Sequence, residues 1–425
     1  MRDSKIVSPK CSTIPLDDDL LMFKDEVTKE LTMRILPFWK SLMDDENGGY
    51  YGYLSYDLQL DRKAEKGCIL NSRITWFFSN AYTLLKDKKI LKEAEHAYAF
   101  LRDKCIDREY GGIYWSLTHD GKPLDTTKHT YNQAFCIYAL SSYYEATQDE
   151  EALKLAYELY DIIETKCRDE VGYLEAFTRD FKPESNEKLS ENGVMADKTM
   201  NTLLHVFEAY TELYRVTGDE KVKERLCFIL DLFADKIYNP EKKRQEVFFD
   251  ANYNTILDLH SYGHDIETAW LIDRGIEIIG LQEERLAAEG VKTEPVYRYY
   301  YDKLTPITKT LTKQIYEVAF DGNSLANECD RGVVNNLRVW WVQAEAVVGF
   351  LNGFEKAPDA RCYRDAALAQ WEFIQAHQID RRPGSEWFWA THADGMPDAG
   401  RPIVEPWKCP YHNGRMCMEV IRRLG

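Results

Sequence analysis

Residues 261–270 read Ser261-Tyr-Gly-His-Asp-Ile-Glu-Thr-Ala-Trp270, a glycine-marked turn running directly into an apolar segment of helical period. His264 and Glu267 stand three residues apart, a spacing that stacks both side chains on one helix face, with Leu271 continuing that face a turn later. A base and a carboxylate therefore sit at the mouth of a helix whose remaining length belongs to a core. His205 and His412 occupy comparable places elsewhere in the chain.

Working outward, the apolar segments come in pairs that resemble one another. Ala134–Glu150 lines up with Leu204–Glu220 in apolar spacing, each ending in a polar turn, and a third copy starts near Ala344 and turns at Ala357-Pro-Asp. Repeats of about 50 to 75 residues, each a helical hairpin, cannot bury their faces alone and must stack or close into a ring. The period predicts twelve helices, at about 18–44, 72–86, 90–105, 129–147, 150–167, 197–217, 220–237, 262–286, 297–318, 338–354, 359–378 and 410–423. Pro37 and Pro306 are expected to kink or restart the helices that hold them. Glycine-aromatic stretches such as Glu46-Asn-Gly-Gly-Tyr-Tyr-Gly-Tyr53 and Tyr110-Gly-Gly-Ile-Tyr-Trp115 read as turns into short strands.

Twelve alternating helices make six hairpins, and no Ser/Gly/Pro-rich linker divides them. The expected architecture is all-α: one (α/α)6 barrel over 18–425, with the even-numbered helices inside, short β-hairpins in the connecting loops, and a flexible N-terminal extension over 1–17. An open solenoid is the alternative, disfavoured by a closing segment, 405–425, that is itself partly apolar.

Composition bounds the partners. With 71 acidic against 54 basic residues, the formal charge of −17 opposes binding to nucleic acid or anionic lipid. Hydrophobic residues at 44% and charged residues at 29% describe a globular chain with a large core. Ten cysteines are scattered without a C-x-x-C pair, a pattern of free thiols in a reducing compartment. The opening residues lack an apolar leader and no run reaches membrane-spanning length, so the expectation is a cytoplasmic protein, monomer or weak homodimer, with a small-molecule substrate.

Near the starts of the even-numbered helices lie Arg73, Tyr131, Asn201, His205, His264, Glu267, Trp340, Trp341 and His412. Six parallel helix ends would gather them at one pocket in a positive field. A metal site is disfavoured because the three histidines lack local ligand spacing. Nucleophilic hydrolysis lacks a G-x-S-x-G elbow, and Cys409 near His412 is weak evidence for a thiol nucleophile. An imidazole titrates near pH ~6.5 and so can take and return a weakly acidic proton without a metal. Two of them on opposite sides of a flat intermediate let a proton leave one face and arrive on the other. Glycoside hydrolysis would need a carboxylate pair, for which Asp197 and Asp265 are the nearest residues. A non-catalytic sugar-binding protein would have little use for the imidazoles.

Five separated stretches carry a family likeness: Ser72-Arg-Ile-Thr-Trp, Met200-Asn-Thr-Leu-Leu-His, Gly263-His-Asp-Ile-Glu-Thr-Ala-Trp, Trp340-Trp-Val-Gln-Ala-Glu and Trp407-Lys-Cys-Pro-Tyr-His-Asn-Gly-Arg. In this order they resemble the signatures of the N-acylglucosamine 2-epimerase superfamily, closest to its cellobiose 2-epimerase branch. The resemblance implies an (α/α)6 barrel and a cofactor-free, metal-free interconversion of glucose and mannose at the reducing end of β-1,4-linked disaccharides. It places the catalytic histidines at His205, His264 and His412, with the latter two exchanging the C2 proton and His205 assisting at the ring oxygen or carbonyl. It assigns Arg73 to the developing oxyanion, Tyr131, Asn201, Trp341 and Trp407 to the sugar, and Glu267 to the orientation of His264. N-acylglucosamine epimerisation and aldose-ketose isomerisation are the alternatives within the superfamily. The segment 285–335 departs from the branch by its length.

Overall fold

The computed structural model describes residues 6–8, 14–187 and 193–425. Helix α1 runs Asp18–Glu30 and continues through a π-helical turn, Leu31–Ile35, into Leu36–Ser41. It is followed by α2 (Cys68–Leu85), α3 (Lys88–Phe100), α4 (Thr130–Thr147), α5 (Glu150–Lys166), α6 (Met200–Thr217) and α7 (Glu220–Leu232). The last five are α8 (Tyr262–Ala288), α9 (Tyr297–Val318), α10 (Trp340–Lys356), α11 (Arg361–Phe373) and α12 (Tyr411–Arg423).

The even-numbered helices form a closed ring: each packs on the next, and α12 packs back on α2. Every odd-numbered helix lies behind an inner one, with α1 against α12 and the others against the partner of their own hairpin. This is the (α/α)6 barrel, and the burial pattern accounts for it. Inner α4 is buried without a break from Thr130 to Tyr144, whereas outer α5 buries only the stripe Ala152, Leu155, Ala156, Leu159, Tyr160 and Ile163. The hairpins turn tightly because three inner helices end on left-handed residues, Lys86, Gln148 and Gly218, and the next residue is Asp87, Asp149 or Asp219. Each of these aspartates accepts a bond from a backbone N–H of the outer helix it starts.

At the other end the connections are stitched together around the ring. The short strands Lys66–Gly67, Lys128–His129, Lys198–Thr199, Leu259–Ser261 and Arg338–Val339 each lead into an inner helix. Each pairs with a strand in the following repeat's loop: Ser116–Leu117, Ala176–Phe177, Phe248–Phe249, Glu328–Asp330 and Ala390–Thr391. A bridge between Leu54 and Val404 completes the circuit.

The stitching follows a register. Lys66, Lys128, Lys198, His260, Arg338 and Lys408 each stand seven residues before Arg73, Phe135, His205, Glu267, Glu345 and Arg415, one per inner helix. Four of the strand cations bond an aspartate of the preceding loop: Lys66 to Asp44 at 2.6 Å, Lys128 to Asp107 at 3.1 Å, Lys198 to Asp169 at 2.6 Å and Arg338 to Asp321 at 2.6 Å. Lys408 bonds Glu386 at 2.8 Å. The same aspartates accept backbone N–H bonds within their own turns, Asp44 from Glu46 and Asn47, for example. In the fourth repeat Asn239 takes the turn position, and His260 bonds Asp265 at 2.8 Å instead. The loop aspartate and the strand lysine or arginine are replaced together.

One of the two prolines meets the expectation: the helix is interrupted by the π-helical turn and restarts at Leu36 beside Pro37, whereas α9 runs unbroken through Pro306. Pro306 is exposed on the outer ring, so the carbonyl it leaves without an intrahelical bond faces water. Of the 1–17 extension, residues 1–5 and 9–13 lie outside the described residues. The described part is tied down: Val7 donates its N–H to the Arg215 carbonyl at 3.2 Å and accepts from Arg215 Nη1 at 2.9 Å, Ile14 is buried, and Asp17 caps α1. Nine cysteines fall within the described residues and all are free thiols. No helix among the described residues is long and apolar enough to cross a membrane.

The stitching pairs are a stability test. Lys66 and Asp44 have side chains 1% and 0% exposed, so Lys66→Ala strands a buried carboxylate. The expected loss is about 3 kcal/mol in urea denaturation, and a loss under about 0.5 kcal/mol would contradict the role given to the pair.

Candidate active site

The six inner helices point their N-termini at the stitched end, and a cavity of about 320 Å³ opens there. All nine residues expected from the sequence line it: Arg73, Tyr131, Asn201, His205, His264, Glu267, Trp341, Trp407 and His412. Trp340 and Trp389 line it too. The carboxylates considered for hydrolysis do not, since Asp197 is exposed and Asp265 is bonded to His260 and Gln245.

The three imidazoles are held alike. Nδ1 of His205 donates to Glu208 at 3.0 Å, Nδ1 of His412 to Glu345 at 2.8 Å, and Nδ1 of His264 is hydrogen-bonded to the Ser261 hydroxyl at 2.7 Å. In each case Nε2 is the nitrogen left for the cavity. A carboxylate on Nδ1 fixes the tautomer with its lone pair on Nε2, the form that accepts a proton. The Trp341 ring lies 4.7 Å from His264 and 5.5 Å from His412 between ring centroids, so one indole packs against both.

Arg73 occupies an aromatic box. Its guanidinium sits 4.2 Å from the Phe135 ring centroid and 4.9 Å from that of Tyr411, and its Nη2 donates to the Tyr131 hydroxyl at 2.7 Å. Four polar atoms of the cavity residues, Arg73 Nε, Asn201 Oδ1, Glu267 Oε2 and Trp340 Nε1, are buried without a protein partner among the described residues.

Beneath the cavity lies a cluster of charges. Arg415 donates to Glu208 and to the Tyr411 hydroxyl through Nη1, and through Nη2 to Glu267 and, at 2.7 Å, to Glu345. Trp270 Nε1 adds a bond to the second oxygen of Glu345 at 2.9 Å. The expected role of Glu267 in orienting His264 is therefore corrected. Three-residue spacing puts the two on one face, but the carboxylate turns to the guanidinium, and Ser261 holds the imidazole.

Burial dominates the proton affinities. It pushes His264 down to about 3, with His205 adding repulsion, and it lowers His205 against the pull of Glu208. Burial, then Arg415 and Arg73, hold His412 well below the usual imidazole range. Burial works against ionisation of Glu208 as well, yet Arg415 and His205 bring it down to about 2. Glu267 goes the other way, pushed up to about 8 by burial and by Glu345. Its Oε1 accepts from Arg415, which leaves Oε2 as the oxygen available to the cavity.

Glu267, Glu345 and His412 bring ligand-type atoms within 4.8 Å of one another, a spacing a divalent ion could use. The residues present do not suit one, because the Arg415 guanidinium already bonds both carboxylates and sets a fixed positive charge against any cation.

Sequence reasoning missed Arg415, Glu208, Tyr411 and Ser261, and left Glu345 without a role. The seven-residue step from each strand cation was the available signal, since it leads from Lys408 to Arg415 as it does from Lys66 to Arg73.

The imidazole shifts make a stability prediction. A histidine with its folded pKa held below the unfolded value of ~6.5 contributes stability above pH ~6.5 that is lost as pH falls toward the folded value. His264→Gln should flatten the acid limb of unfolding free energy between pH ~6.5 and ~4 by up to about 1.4 kcal/mol per pH unit. Identical slopes for both proteins in urea titrations would contradict the neutral, buried imidazole.

Comparison with known proteins agrees with this geometry. The N-acylglucosamine 2-epimerase (GlcNAc 2-epimerase) family matches residues 49–412. A cellobiose 2-epimerase of Ruminococcus albus is 50% identical over 402 residues, covering 95% of this chain and 99% of that protein. Another, from Eubacterium cellulosolvens, is 50% identical over 417 residues, covering 94% and 98%. Among solved structures, a sugar epimerase from a ruminal bacterium superposes with a TM-score of 0.89 at 49% identity, covering 95% of this chain and 99% of that one. With a relative half identical over 95% of the chain and a family match that spans five inner helices and reaches His412 at the start of α12, the chain belongs to the N-acylglucosamine 2-epimerase family of carbohydrate epimerases.

Proposed function

We propose that the protein interconverts glucose and mannose at the reducing end of β-1,4-linked disaccharides such as cellobiose and lactose, by removing and returning the proton on C2. One observation carries this reading: three imidazoles from remote parts of the chain present Nε2 to a single cavity. The cellobiose 2-epimerases to which the chain is half identical support the substrate class.

A C2 proton in a closed pyranose is not acidic, so the ring opens first. His205, a neutral base bonded to Glu208, serves the proton shift from the C1 hydroxyl to the ring oxygen. In the open aldehyde, loss of the C2 proton to one imidazole gives a cis-enediolate. His264 and His412 hold the two faces of C2, both neutral in the empty site; the developing negative enediolate raises their proton affinity, so one takes the C2 proton while the other takes a proton from solvent and delivers it to the opposite face. One proton leaves and one arrives, with no net redox change. Arg73 and the six helix N-termini hold the negative oxygens, a preorganised interaction strongest in the transition state and worth about 3 kcal/mol for one donor. Tyr131 and Asn201 take sugar hydroxyls, Glu267 meets one through its unpartnered Oε2, and Trp341 and Trp407 cover the C–H faces of the sugar. Every one of these groups comes from one chain, which supports action as a monomer or weak homodimer; the free thiols support a reducing, cytoplasmic place, and the acidic charge opposes nucleic-acid or anionic-membrane partners.

The reading is tested by incubation with lactose in D2O. Deuterium is expected at C2 of both reducing-end epimers by NMR. Release of free glucose, accumulation of a ketose, or unlabelled epimers would overturn it. His264→Asn and His412→Asn should each lower kcat about 10³-fold. In His412→Asn, deuterium exchange should persist from one epimer only, while formation of the other is lost.

A further inference from the structure

Arg415 is 1% exposed and does not line the cavity, yet its guanidinium touches the carboxylate partners of two different imidazoles. Nη1 reaches Glu208, which holds His205, and Nη2 reaches Glu345, which holds His412. The guanidinium is clamped between aromatic faces, 4.3 Å from the Tyr411 ring centroid and 4.8 Å from that of Trp270, so the fork cannot swing. The third imidazole, His264, stands outside this arrangement on Ser261.

We propose that Arg415 is a positioning residue that sets His205 and His412 together, coupling the group that opens the ring to one of the groups that moves the C2 proton. The inference rests on the C2-epimerisation reading. The physical reason is the sharing of one planar cation among carboxylates, Glu208 on Nη1 and Glu345, beside Glu267, on Nη2. As Glu208 gives more of its charge to an imidazolium at His205, it holds the guanidinium less, and Glu345 gains what Glu208 gives up. Each imidazole thereby reports its protonation to the other across a desolvated cluster, where such interactions are strongest. A lysine keeps the charge but loses the fork, and so cannot serve both carboxylates in fixed geometry.

The test uses full-length protein with 15N-labelled histidine, the Arg415→Lys and Glu345→Gln variants, and the lactose assay in D2O on wild type alongside. Arg415→Lys should fold, lower kcat at least ~100-fold with KM within about threefold, and move the imidazole resonances of both His205 and His412 while leaving His264 in place. Glu345→Gln should move the His205 resonance as well as that of His412, because the freed guanidinium shifts toward Glu208. This second variant decides the question even if Arg415→Lys fails to fold. An Arg415→Lys enzyme with kcat within threefold of wild type, or a His205 resonance unmoved by Glu345→Gln, overturns the coupling. Labelled product from wild type in the same experiment confines that failure to the coupling, whereas unlabelled wild type overturns the C2 reading itself.

Discussion

A single buried guanidinium among three carboxylates is the constraint on which this molecule turns. Glu208 comes from α6, Glu267 from α8 and Glu345 from α10, while Arg415 arrives on α12, the helix that closes the ring. Charges taken out of water are tolerated only when well paired, so each member depends on the ring being shut. Two imidazoles in turn depend on the carboxylates. Closure of the barrel and readiness of the site are thus one event rather than two.

The two ends of the barrel divide the electrostatic work. At the catalytic mouth six helix N-termini converge, favouring a developing negative oxygen, and the loops there are knitted by strand pairs and buried ion pairs that leave the cavity walls little freedom. At the opposite mouth the helix C-termini converge on a second cavity of about 570 Å³, and Arg215, Arg274, Lys356, Arg422 and Arg423 are ranged around it. Six carboxylates, Glu145, Asp273, Glu277, Glu284, Glu355 and Glu419, line the same cavity, and pairs such as Arg215–Glu145 and Arg274–Glu419 take up the cations. The imidazoles line the other mouth alone.

Much of this was legible in the sequence, for identifiable reasons. Helical period marked the segments, and the likeness of Ala134–Glu150 to Leu204–Glu220 showed that they come in pairs, so twelve helices and their alternation could be read before the structure. His205, His264 and His412 stood near the starts of inner segments, which placed them at one mouth once the ring was drawn. The charge cluster was not legible, because its bonds join residues such as Glu208 and Arg415 that lie 207 positions apart. Glu267 shows the limit of local spacing: three residues from His264, it shares a face with the imidazole but answers to a stronger partner that no local pattern reveals. Pro306 shows the converse, where a local rule fails because the position is exposed and the carbonyl that loses its bond is open to solvent.

The account stands or falls on where C2 of an open-chain sugar lies. The most direct measurement is a crystal structure of the protein with the reduced, open-chain form of cellobiose, whose C2 is a stable carbon. The account predicts C2 held between His264 Nε2 and His412 Nε2 on opposite faces, with its neighbouring oxygens toward Arg73. A sugar alcohol bound with both imidazoles on one side of C2, or with C2 beyond reach of either, would contradict it.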